Sequence, residues 1–244
     1  MMAYRIFAIF SSIIADALHR KLFYSVFLFA GAMAAAIPFL PSYGQGVVEA
    51  VFREVALALI YVFAMVVTIA YTSTRLPSEI ERRTLYPLLA RGVGRGEYLL
   101  GTWLGISAVV GLTLFAIAAV TLAIGWINYD VLMWRVLLGV FAIWLEASVI
   151  AAVGIAVATV AGPVIVAAIA LTFLFVGHVR SLLVDPGTLF YTLYPSLDTF
   201  NVINPVAHGD GYSAAYAATM VAVWLAYSAI ALLVAASLFE RKDL

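Results

Sequence analysis

Residues 136–161 read VLLGVFAIWLEASVIAAVGIAVATVA and carry a single ionisable side chain, Glu146. A helix needs about 20 mostly apolar residues to cross the roughly 30 Å hydrocarbon layer of a bilayer. The stretch Val136–Ala161 is therefore a membrane span. The same test applied outward along the chain finds five more: Leu22–Leu40, Val55–Thr74, Tyr98–Trp126, Pro163–Val179 and Ala214–Phe239. Composition agrees, since 66% of the 244 residues are hydrophobic and 11% are charged, against about 25% charged in soluble domains. A soluble chain of this size has too little interior to hide so much apolar surface. Lipid must be its solvent, which excludes a soluble enzyme, a nucleic-acid binder and a disordered chain. Cysteine is absent, so disulfides, thiolate nucleophiles and Cys-ligated metal centres are excluded as well. The expected fold class is all-α, a polytopic membrane protein whose six transmembrane helices form a single domain over 1–244.

Basic residues give the orientation. With the N-terminus in the cytoplasm, Arg5, Arg20, Lys21, Arg75, Arg82, Arg83, Arg91, Arg95, Arg241 and Lys242 fall inside, and only Arg53, Arg135 and Arg180 outside. Cytoplasmic connections carry the excess of Lys and Arg. Both termini are therefore expected in the cytoplasm, in a cell membrane of bacterial or archaeal type. Ala34 and Ala36 imitate a cleavage site, but the segment ahead of them is too long for a signal peptide's n-region, so a retained anchor is expected. Ahead of the first span, Arg5, Ser12, Asp16 and His19 recur at helical spacing opposite Ile6, Phe7, Ile9, Phe10, Ile13, Ile14 and Leu18. That pattern fits an interfacial amphipathic helix over 1–21, with Arg20 and Lys21 near anionic headgroups. A helix packed against the bundle would show the same stripe.

The densest polar segment lies between the second and third spans, at 75–97: RLPSEIERRTLYPLLARGVGRGE. Pro87 is tolerated only near a helix start. Thr84 can cap a short helix there and Gly92 can end it. Such a stub would present Leu85, Tyr86, Leu88 and Leu89, rimmed by Arg82, Arg83 and Arg91. An exposed apolar patch rimmed by charge is a protein-binding surface; a solvated loop resting on lipid headgroups fits equally well. No G-x-x-x-x-G-K-[ST] phosphate loop occurs anywhere. If ATP drives this protein, hydrolysis belongs to a separate polypeptide.

The string Glu79–Gly105, EIERRTLYPLLARGVGRGEYLLGTWLG, resembles the cytoplasmic loop of ABC-2-type permeases, the membrane subunits of ATP-binding cassette exporters. The matching positions are Glu79, Glu81, Thr84, Leu88, Leu89, Arg95, Tyr98, Leu99 and Gly101. Gly92, Gly94 and Thr102 depart, standing where the family often has proline, serine and lysine. The terminus Leu238–Leu244, LFERKDL, is similar to the family's basic ending. The resemblance implies that 75–97 is a coupling loop whose short helix seats in a groove of an ABC ATPase. Its implied contacts are Glu79, Arg82, Arg83, Thr84, Leu85, Tyr86, Leu88, Leu89, Arg91 and Arg95. It further implies two ATPase copies carrying ATP and magnesium, with no cofactor bound by this chain and no nucleic-acid partner. A second permease copy or a homologous permease would complete the assembly in the lipid.

Glu146 sits mid-span, where an ionisable group costs about 2.5–3.5 kcal/mol on insertion scales, so it should face protein or water. Its neighbours Ala142, Ile143, Val149 and Ile150 cannot pair with it, so a partner must come from another span or chain. It reads either as a hydrogen-bonded group fixing helix contacts or as a substrate, proton or gating site. Small residues at four-residue spacing, Gly101/Gly105, Ala147/Ala151, Gly154/Ala158 and Ala214/Ala218/Ala222/Ala226, let helix backbones approach. The extracytoplasmic segment 180–212 is long, and Pro195 and Pro205 divide it into short helices; the ABC-2 resemblance implies that these are re-entrant or interfacial, and a passive interfacial anchor fits equally well. Phe190, Tyr191, Tyr194 and Phe200 suit a membrane interface. His19, His178 and His208 are scattered and read as polar decoration rather than metal ligands. Together these readings favour an exporter's permease subunit moving a lipid-like, drug-like or other amphipathic substrate outward. The alternative is an ion-coupled carrier or structural anchor centred on Glu146.

Overall fold

The computed structural model describes residues 2–20, 22–36, 45–85, 87, 90, 92–183, 185, 188 and 194–241; side chains are described for these except 18–20, 22–25, 45–46 and 181–183. Eight α-helices are described, joined by one 3-10 turn: α1 (Met2–Arg20), α2 (Leu22–Ala36), α3 (Gln45–Glu81), α4 (Arg95–Tyr129), α5 (Val136–Ala158), α6 (Pro163–Leu183), the 3-10 turn Leu197–Phe200, α7 (Ile203–Ala207) and α8 (Ala214–Glu240). The protein is all-α and membrane-spanning. Among the described residues, five helices (α3, α4, α5, α6 and α8) are long and apolar enough to cross a bilayer. α2 has 15 residues, or about 22 Å at 1.5 Å per residue, less than a hydrocarbon layer. The remainder of the expected first span, through Pro38 to Leu40, lies outside the described residues.

α5 is the axis of the bundle. It packs against α3, α4, α6 and α8, and its apolar residues run all round rather than along one stripe, as a helix surrounded by others requires. Small side chains set the spacing. A Cβ on Gly154 would stand 2.8 Å from Thr72 Cβ of α3. Two tryptophans pin α4 to α5: Trp103 Nε1 donates to the Ser148 carbonyl at 2.9 Å, and Trp144 Nε1 to the Ser107 carbonyl at 2.8 Å.

α3 and α4 have 37 and 35 residues, about 50–55 Å each, and so extend well beyond the membrane core. α3 continues past the expected end at Thr74 through Pro77 to Glu81. An interior proline normally costs about 3 kcal/mol; here the flanking turns are held on both sides by packing and ion pairs at Leu76, Arg75 and Glu79. The polar segment 75–97 is thus helical at both ends, and residues 82–94 connect α3 to α4.

α1 packs along α4 with Ile9, Ile13 and Ala17 buried, while Tyr4 and Phe7 on its other side are exposed. The contact is close because Gly101 and Gly105 offer no side chain: a Cβ on Gly105 would stand 2.7 Å from Ile13 Cδ1. One stripe therefore binds the bundle and the opposite one is exposed.

The segment expected on the extracytoplasmic side folds back into the bundle at its described residues 194–207. Leu197 is fully buried against Gly177, where a Cβ would come within 2.5 Å of it. Tyr194 OH donates to the Phe173 carbonyl at 3.0 Å, and burial pushes this phenol up to about 12. Phe200 is in the core, 1% exposed, rather than at a lipid interface. An aromatic ring gains more by complete burial than by straddling an interface. Phe190 and Tyr191 lie outside the described residues. On the same side, Arg53 Nε donates to the Ala207 carbonyl at 2.7 Å, fastening α7 to α3.

Candidate functional site

Two polar centres stand out, one at the end of the bundle where α3 passes to α4 and one inside the bundle. At the first, Arg75 of α3 lies 3.4 Å from Asp16 of α1 and 3.2 Å from Glu79. Glu79 in turn accepts from the Tyr98 hydroxyl of α4. Arg5 of α1 donates to the Gly92 carbonyl and lies 3.5 Å from Glu97. The Glu97 carboxylate also accepts from the Gly94 N–H at 3.0 Å, closing the first turn of α4. Exposed ion pairs contribute little singly, about 0–1 kcal/mol, but this set joins α1, α3 and α4 at one end.

The chain leaves this platform through a tight turn. Arg82 N–H donates to the Ser78 carbonyl at 3.0 Å and the Thr84 hydroxyl to the Glu79 carbonyl at 3.3 Å. Arg83 has φ of 57°, a left-handed backbone that costs a non-glycine residue about 1–2 kcal/mol. Arg82, Arg83 and Thr84 are all exposed. Leu85 is not: its side chain is completely buried in the protein's own core, where an apolar group of its size gains about 1.5–3 kcal/mol. Arg95 is also held internally. It donates to the Phe239 carbonyl and, at 2.9 Å, to the Glu240 carbonyl, with its guanidinium 5.5 Å above the Phe239 ring. This closes the C-terminus of α8, where orphan carbonyls favour a cation. Tyr86, Leu88, Leu89 and Arg91 lie outside the described residues.

The second centre is built on Glu146, whose side chain is 1% exposed. Its partners come from other helices, as its apolar helical neighbours require. Tyr61 OH of α3 donates to Glu146 Oε1 at 3.0 Å, and His178 Nε2 of α6 lies 2.8 Å from the same oxygen. On its other side, His178 Nδ1 lies 3.2 Å from Asp198 Oδ1 in the 3-10 turn. The cluster runs from Asp198, on the folded-back segment, to Glu146 at the centre of α5, beside a cavity of about 330 Å³. His178 is thus the partner of the buried acid and not scattered decoration. Its place inside an apolar span was the available signal. Tyr61 and Asp198 carried none, since neither has a spacing relation to Glu146.

Removing the Tyr61 hydroxyl tests the cluster's structural part. Tyr61→Phe is expected to lower unfolding free energy by about 1–3 kcal/mol, as a buried acceptor loses a donor. Thermal unfolding in lipid nanodiscs reads this; an unchanged midpoint would show that His178 alone satisfies the acid.

Comparison with known proteins adds one finding. Residues 68–244 match the family described as "ABC-2 family transporter protein". No curated protein matches the chain.

Proposed function

The chain belongs to the ABC-2 family of membrane transporter proteins, and from that membership we propose that it is the membrane-spanning permease subunit of an ATP-driven exporter. Proteins of this family are permease components rather than catalysts, and they function with ABC ATPase partners in a lipid membrane. In our reading two ATPase copies dock beneath a pair of permeases, either two copies of this chain or this chain with a homologue. α2 supplies the sixth crossing, which returns both termini to the cytoplasm, and α1 rests in the headgroup layer.

The observation that carries the reading is the exposed Arg82–Thr84 turn mounted on the Arg75–Glu79–Tyr98 set. A load applied at this turn passes directly to α3, α4 and α1. Ligand-driven movement needs a contact that differs between the two states; a turn braced on three helices can deliver such a difference to the bundle. Arg82, Arg83 and Thr84 would meet the ATPase together with Tyr86, Leu88, Leu89 and Arg91. Glu79 and Arg95 would hold the turn in place, and Leu85 would anchor it from within. The substrate class in this reading is amphipathic, moving outward.

Solubilising native membranes in mild detergent tests the assignment. A P-loop ATPase is expected to copurify, and its ATP turnover is expected to change when the permease is added back. The buried Glu146–His178 pair favours a second reading, an ion-coupled carrier; substrate movement driven by an ion gradient without any ATPase would replace the first reading with it.

A further inference from the structure

We propose that Arg53 and Arg135 form a seat for the headgroup phosphate of a bilayer phospholipid, at the end of the bundle away from the α3–α4 turn. A Cβ on Gly209 would stand 3.6 Å from Arg135 Nη1 and 3.8 Å from Arg53 Nη2. The two nitrogens are therefore at most 7.4 Å apart, the sum of those distances. Gly209 has φ of 84°, a backbone that glycine adopts freely, and it puts no side chain between them.

Both guanidiniums keep donors in reserve. Arg53 Nε donates to the Ala207 carbonyl and Nη1 lies 3.8 Å from Glu49, while Nη2 has no hydrogen bond among the described residues. Arg135 is exposed and makes neither a hydrogen bond nor an ion pair among the described residues; its guanidinium rests 5.7 Å from the Trp134 ring centroid. The other acids nearest in sequence to these elements, Glu54, Asp130 and Asp210, are exposed to solvent and pair with neither arginine. Two planar forks with free N–H groups suit the oxygens of a phosphate, which accept parallel bonds from guanidinium.

Depth in the membrane selects the source of that phosphate. α5 has 23 residues, about 34 Å, close to the roughly 30 Å of the hydrocarbon layer. Arg135 directly precedes it and so stands at headgroup level, where lipid phosphates lie. Trp126 at the end of α4, with Leu132 and Trp134 in the connection to α5, is exposed beside it, and tryptophan is enriched at this level of a bilayer. A soluble anion would leave that apolar surface uncovered, whereas a phospholipid meets the arginines with its phosphate and the rings with its chains. The seat would hold α3, α5 and the Gly209 turn against one leaflet.

The test counts lipids retained by the full chain in detergent, by native mass spectrometry. The probes are phosphatidylglycerol, phosphatidylcholine and digalactosyldiacylglycerol with matched chains. Both phospholipids are expected to bind at least about tenfold tighter at the first site than the phosphate-free galactolipid. Arg135→Gln should weaken phospholipid binding about tenfold and leave the galactolipid unchanged; Arg135→Lys, which keeps the charge but not the fork, should weaken it about threefold. Arg53→Gln should act like Arg135→Gln, but Arg53 also holds Ala207, so the exposed Arg135 is the deciding position. Arg241→Gln, an exposed arginine at the opposite end of α8, should change nothing. Equal binding of galactolipid and phospholipid overturns the proposal, as does unchanged phospholipid binding in Arg135→Gln. Displacement of the lipid by millimolar inorganic phosphate also overturns it, since the site would then serve a soluble anion.

Discussion

Replacing Arg82 and Arg83 together with glutamate is expected to abolish copurification of the partner ATPase while leaving the permease folded. Both side chains are exposed and neither is needed to close α3, whose last turn is held by backbone bonds from Arg82 and Thr84. Interface hot spots are enriched in arginine, and losing one costs about 2 kcal/mol or more, roughly a 30-fold change in affinity. Reversing two charges adds repulsion to the loss. Pull-down of the ATPase, with thermal unfolding of the variant as the folding control, reads the effect. Arg83→Gly separates charge from backbone, because glycine accepts a φ of 57° without penalty. If Arg83→Gly weakens binding like the charge reversal, the guanidinium matters; if it does not, Arg82 carries the contact. Full ATPase binding by the double reversal would remove this turn from the interface.

The largest stability effect is expected at Gly105. A side chain there must occupy space held by Ile13, whose Cδ1 and Cβ lie 2.7 and 2.9 Å from where a Cβ would stand. Overpacking of this kind costs about 1–3 kcal/mol and sometimes more, and a leucine adds three further carbons. Gly105→Leu should therefore lower the unfolding midpoint by about 6–12 °C, at about 2–4 °C per kcal/mol for a chain of this size. It should also release α1 from α4, making α1 accessible to protease. Gly31→Leu in α2 is the control, since nothing lies within 4 Å of its Cβ position. Combining Gly105→Leu with Ile13→Ala should recover part of the loss, because the two residues share one space. An unaltered melt of Gly105→Leu would show that α1 does not depend on this contact.

The apolar runs around Val136 and Ala214 needed no tertiary information to be read as membrane helices, because a bilayer demands an internally hydrogen-bonded segment of fixed length. Gly101/Gly105 and Gly154 were legible as close contacts for a related reason: without a hydrophobic force between helices in lipid, small residues mark where backbones meet. The resemblance carried by Glu79–Gly101 proved to extend, as a family match, over 68–244. Helix ends were harder to read. α3 runs seven residues past Thr74 to Glu81, because ion pairs and packing on α1 and α4 continue a helix after its apolar residues stop. Leu85 showed the same limit, since a leucine between arginines looks exposed until the fold places it inside.

From the sequence alone came the membrane, the helical class, the positive-inside bias and the family. These follow from composition, run length and local spacing, which a linear string preserves. Only the folded bundle placed Tyr61, Glu146, His178 and Asp198 around one cavity, drawing them from α3, α5, α6 and the 3-10 turn. They are separated by 85, 32 and 20 positions along the chain, and no periodicity links positions so far apart. Their meeting is set by how Gly154, Gly177 and their neighbours allow the helices and the returning segment to pack, which is a property of volumes in space.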